Sequence, residues 1–158
     1  MIENYLEILE DSLVKKLAVL DEITEYNNEQ EALLKREKVS MEELDANMEK
    51  KDELIQKLVK LDEGFEALYE RVREQLLTDK DIYKEQIRRI QDLISKVTEK
   101  SVSVQAQESR NKKLIENYFI KEKSQIRQGR QASKTAFNYY KNMSNSNAVP
   151  PQILDQKK

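Results

Sequence analysis

The 158-residue chain has no cysteine, no histidine and no tryptophan, and only two glycines and two prolines. Each absence removes something. Without a thiol or an imidazole there is no cysteine nucleophile, no Ser-His-Asp triad, no disulfide framework and no donor set of the usual zinc kind, because that chemistry needs a thiolate or a group titrating near neutral pH. Strand-rich folds use glycine, proline, asparagine and aspartate for a turn every dozen residues or so; here the first proline is Pro150, which excludes a β-sandwich. No run approaches the ~18 consecutive apolar residues that cross a bilayer. The opening MIENYLEILEDSL carries acids where a signal peptide carries a basic end and an apolar run. A cytoplasmic protein without stable membrane insertion is expected.

What the chain has is charge, 37% of its residues, in a composition that reads as all-helical. The net charge of -2 hides a gradient. Residues 1–60 hold nine Lys/Arg against sixteen Asp/Glu, residues 61–109 eight against eleven, and residues 110–158 eleven against three. The basic end is also the aromatic one, with Tyr118, Phe119, Phe137, Tyr139 and Tyr140. Such a mixture suits an acidic protein surface, an anionic membrane or a nucleic acid. Nucleic acid ranks last, since no stacking module is present and the acidic first half repels phosphate.

Apolar periodicity predicts three helices at about 2–38, 41–77 and 79–127. Ile2, Leu6, Leu9, Leu13, Leu17, Leu20 and Ile23 recur at three- and four-residue steps and share a face. SMEE at 40–43 has the form of a capping box and starts the second helix, which carries Leu44, Met48, Leu54, Leu58, Leu61, Phe65, Leu68 and Val72. Gly64, inside it, is expected to mark a close helix crossing. LLTDKD offers the next break, with Thr78 as cap. The third helix has a heptad seam running Tyr83, Ile87, Ile90, Ile94, Val97, Ser101, Val104, Glu108, Asn111, Ile115, Tyr118. Short connections make the arrangement up-down-up. The expected architecture is all-α, an elongated antiparallel three-helix bundle or coiled coil over residues 1–126, with a longer third helix. Its apolar core is strongest near residues 6–20, 58–76 and 83–97. Residues 127–158 are expected to form a basic, aromatic C-terminal tail, partly helical and then, from SNSNAVPP onward, disordered.

No arrangement of carboxylates marks a catalytic pair, and the acidic runs read as solvated helix faces. Gly129 in RQGRQASK is no phosphate loop, because the second glycine and the preceding strand are missing. Neither an enzyme nor a cofactor or metal site is expected. The candidate partner-binding residues are Leu114, Ile115, Tyr118, Phe119, Ile126, Phe137, Tyr139, Tyr140 and Met143. They are apolar or amphipathic, and they cluster where the third helix is expected to outrun its neighbours. Two other readings place the same residues in a tail that caps the bundle, or in a seam pairing two copies.

LDEGFEALYERV at 61–72, the heptad helix after it, and the ending KTAFNYYKNMS with its short linker and DQKK resemble FlgN-type flagellar export chaperones of Gram-positive bacteria. The resemblance implies a small cytoplasmic helical protein that binds C-terminal helices of flagellar hook-filament junction proteins. It would prevent their premature assembly and deliver them to the flagellar type III export gate. The client-binding region falls by position on Leu114 through Met143. One departure is QILDQKK, where Ile153 and Leu154 stand in place of the aromatic that relatives often carry. A monomer or weak homodimer is expected; the alternative is a self-associating structural coiled coil.

Overall fold

The computed structural model describes residues 2–122. They form three helices, α1 (Ile2–Leu34), α2 (Met41–Thr78) and α3 (Lys84–Lys121), and no strand is present among the described residues. No helix among them is long and apolar enough to cross a membrane. The apolar positions spaced three and four apart are the ones that become buried: Leu6, Leu9, Leu13, Leu20 and Ile23 on α1, Leu54, Leu58, Phe65 and Val72 on α2, Ile90, Ile94, Val97 and Val104 on α3. Each contributes roughly 1.5–3 kcal/mol by leaving water, and such packing, more than helix propensity, holds long helices together.

Both breaks differ in detail from the expectation. α1 ends at Leu34 rather than 38, with Lys35 N–H donating to Glu31 O as the last turn closes. The following Arg36, Glu37 and Lys38 are exposed and offer the bundle no apolar side chain. Ser40 caps α2 as predicted, in an extended conformation with its Oγ accepting from Glu43 N–H at 3.3 Å. The Glu43 carboxylate pairs with Arg36 across the turn. Thr78, expected to cap the third helix, instead closes α2, because its hydroxyl donates to Glu74 O at 3.0 Å. α3 therefore begins at Lys84 instead of 79, after a turn in which the Ile82 and Tyr83 amides donate to Asp79 O. Its described part runs to Lys121, and residues 123–127 of the expected helix lie outside the described residues.

Cross-links fix the register. Lys16 pairs with Asp62 and Lys51 bonds Gln30, so α1 and α2 run antiparallel. Arg89 bonds Glu10 and Gln107 bonds Asn28, each pair 79 residues apart, so α3 runs parallel to α1 with constant offset. The late start of α3 sets it lower against the hairpin than expected. Asn27 stands level with Gln107 and Asn111. The last turns of α3 consequently lie beside the α1–α2 turn.

The main apolar cluster fills the end that holds both chain-entry turns and the α2–α3 connection. A smaller cluster of Leu44, Met48 and Ile115, with Leu34, Val39, Met41 and Phe119 against it, fills the hairpin end. Gly64 marks no crossing within the chain. It is exposed, and a Cβ built on it meets nothing within 4 Å.

Candidate functional site

Between the two apolar clusters lies a layer of buried polar side chains, contributed by all three helices. Lys51 of α2 is fully buried; its ammonium is 2.7 Å from Glu108 Oε1 of α3 and donates to Gln30 Oε1 of α1 at 2.6 Å. Asn111 Nδ2 donates to the same Gln30 oxygen at 3.0 Å and to Asn27 O at 2.9 Å. Asn47 Nδ2 donates to Tyr26 O and to Glu29 Oε1. Burial pushes the Lys51 ammonium down from its ordinary 10.5 to about 8, against the pull of Glu108. Deeper in the bundle, burial lowers the Lys16 ammonium and raises the Asp62 carboxyl, each opposed by the other's charge.

Beyond this layer, a groove of about 410 Å³ opens between the α1–α2 turn and the end of α3. The turn supplies Leu34, Arg36, Lys38 and Val39; α3 supplies Leu114, Tyr118 and Lys121. The helical repeat separates the four described candidate residues into two pairs. Leu114 and Tyr118, one turn apart, are half-buried and line the groove. Ile115 and Phe119, one step round the helix, pack inward against Leu44 and Met48, and Ile115 is 4% exposed. The Tyr118 and Phe119 rings lie 5.4 Å apart, tilted by 59°. Burial, and then the Glu122 carboxylate, raise the Tyr118 phenol above its ordinary value, so it stays neutral at pH 7 and offers both a donor and an acceptor. Ile126, Phe137, Tyr139, Tyr140 and Met143 lie outside the described residues.

The heptad seam of α3 is spent inside the chain: Ile90, Ile94, Val97, Val104, Glu108, Asn111 and Ile115 are all buried against α1 and α2. Two parts of this end were missed by pattern reading. The groove wall formed by Leu34, Arg36, Lys38 and Val39 depends on where the turn folds. Lys51 had a usable signal, since it continues the step from Leu44 and Met48 to Ile55 and Leu58 and therefore has to face inward. Among the described residues, no group of three or more acidic side chains is arranged as a metal site.

The class defined by this geometry is a small antiparallel helical bundle that presents a groove of mixed polarity at its hairpin end. A family model described as FlgN protein matches residues 1–147, and the chain belongs to the FlgN family, whose role is of the flagellar export chaperone kind. No curated protein and no solved structure matches the chain.

Proposed function

We propose that the chain binds the C-terminal helices of hook-filament junction proteins in the cytoplasm, holds them unassembled and passes them to the flagellar type III export gate. It does so as a monomer or weak homodimer, without catalysis. The observation that carries this reading is the groove in which Leu114 and Tyr118 stand half-exposed, at the point where the chain leaves α3 towards its basic and aromatic C-terminal residues. An amphipathic helix laid on such a surface buries apolar side chains worth roughly 1.5–3 kcal/mol each, which gives binding that a later transfer step can reverse. The polar rim is of mixed sign, with Lys38 and Lys121 as donors for the partner's acidic or carbonyl groups and Glu37 and Glu122 as acceptors.

The test is gel filtration and calorimetry of the full chain with a purified junction protein, beside a version lacking residues 127–158 and a Leu114→Ala/Tyr118→Ala variant. One-to-one complex formation that both variants weaken, with helicity and melting preserved, is the expected result. A full chain that leaves every junction protein in its own peak would refute the reading. The alternative of a scaffold joined through the third-helix seam is disfavoured, because those residues already face the chain's own core.

A further inference from the structure

A second groove lies far from the one just described. It has a volume of about 320 Å³, runs between α1 and α2, and is floored by Leu9, Leu61, Phe65 and Leu68. Ile8, at its edge, leaves 53% of its surface in water. Counted along α1 from Ser12, which lines this groove, to Leu34, which lines the other, the two are roughly 33 Å apart at 1.5 Å per residue.

Gly64 is in the lining and packs against no side chain of another helix among the described residues. Its backbone is helical with no positive φ, and a Cβ there meets nothing within 4 Å. Glycine in a helix interior is unfavourable relative to alanine, and nothing among the described residues accounts for its use here. A missing side chain on an exposed face lets another backbone come close. The rim has a sign as well. Lys57, Gly64 and Arg71 fall on one face of α2 at seven-residue spacing, with Lys60 beside them, and Lys15 approaches from α1. None of these four cations is paired with a carboxylate among the described residues, while Asp11 is the one acid in the lining. Residues 1–60 as a whole carry an excess of acids, so a cationic rim here runs against the local trend.

We infer that this groove is a second docking surface, and that its occupant is an acidic amphipathic helix of a partner protein crossing α2 at Gly64. A second copy of the chain is the weaker fit: a two-fold crossing at Gly64 sets Lys57 of one copy against Arg71 of the other. The chain's own C-terminal residues are basic and meet the same repulsion.

The probe is a capped peptide of about 20 residues, long enough for ~30 Å of helix. It is built from Leu, Ala and Glu with one apolar face, and a counterpart carries Lys for every Glu. Each is titrated into isotope-labelled full chain while backbone amide shifts are followed. The Glu peptide is expected to move the amides of Gly64 and Ile8. Lys15→Glu/Lys60→Glu should weaken it at least tenfold, and Gly64→Leu should abolish the shifts by filling the groove. Gly64→Ala should melt no lower than the parent. Equal shifts with the Lys peptide, shifts confined to Leu114 and Tyr118, or a Gly64→Ala chain that loses its fold would each overturn the inference. So would a dimer in sedimentation that Gly64→Leu dissolves. Binding of junction proteins at the hairpin end is measured separately, and its failure leaves these outcomes unchanged.

Discussion

Replacing Lys51 by Met tests whether the polar layer is a coupled unit. The ammonium is fully buried, 2.7 Å from a Glu108 carboxylate that is itself 6% exposed. Removing the cation alone strands a buried anion, which costs about 3–5 kcal/mol, whereas replacing both members with apolar residues of similar volume is neutral or stabilising by about 1–4 kcal/mol. Lys51→Met and Glu108→Met should therefore each lower the urea midpoint markedly, while Lys51→Met/Glu108→Met recovers or exceeds the parent. The pH dependence has a definite sign. In the folded chain the ammonium titrates near 8, below its ordinary 10.5, so between those values the unfolded chain binds more protons and the Lys51 contribution to stability rises with pH. The full span corresponds to about 3 kcal/mol. Relative to the double variant, the parent should gain stability between pH 8 and 10.5. A Lys51→Met change costing under about 1 kcal/mol, as a surface residue would, or a double variant as unstable as the two singles added, would refute the reasoning.

Ser40→Ala removes the oxygen that accepts from Glu43 N–H and should cost about 1 kcal/mol in chemical denaturation. Ile115→Ala, cut from the small cluster with Leu44 and Met48, should cost about 2–5 kcal/mol and lower the melting temperature. Leu114→Ala on the groove side should change melting little and affect only partner binding; comparable destabilisation from the two would contradict the division of this helix into inner and outer faces. Amide hydrogen exchange should be slowest across residues 9–23 and 90–97 and faster at 108–121, where the apolar cluster is small.

Much of this fold was legible in the sequence, because helix-forming charged residues and a three-four apolar repeat leave few alternatives. The all-helical class, the antiparallel order, the Ser40 cap and the concentration of apolar core at one end follow from residues alone. Register did not. Thr78 satisfies a helix start and a helix end equally well by type, and its choice of Glu74 O delays α3 to Lys84. That delay sets Asn27 level with Gln107 and Asn111. It also brings the α3 end down beside the turn, so Ile115 and Phe119 pack against the hairpin. For Gly64 the position of an unusual residue was readable but its neighbours were not, and the packing places none within 4 Å among the described residues.

The polar layer connects these points to the proposed role. Asn27 Oδ1, Gln30 Nε2 and Glu108 Oε2 are buried without a hydrogen-bond partner among the described residues, and unmet buried polar groups cost about 1–3 kcal/mol each. The layer thus stabilises the bundle less than an apolar one would, while its Lys51–Glu108 pair fixes which side chains meet across α2 and α3. Above it, the hairpin end is held by the small cluster of Leu44, Met48 and Ile115; below it lies a cluster several times larger. On the proposed reading, a partner helix docking at Leu114 and Tyr118 would meet the part of the molecule that costs least to rearrange. The larger apolar cluster on the far side of the layer would hold the register of the three helices meanwhile.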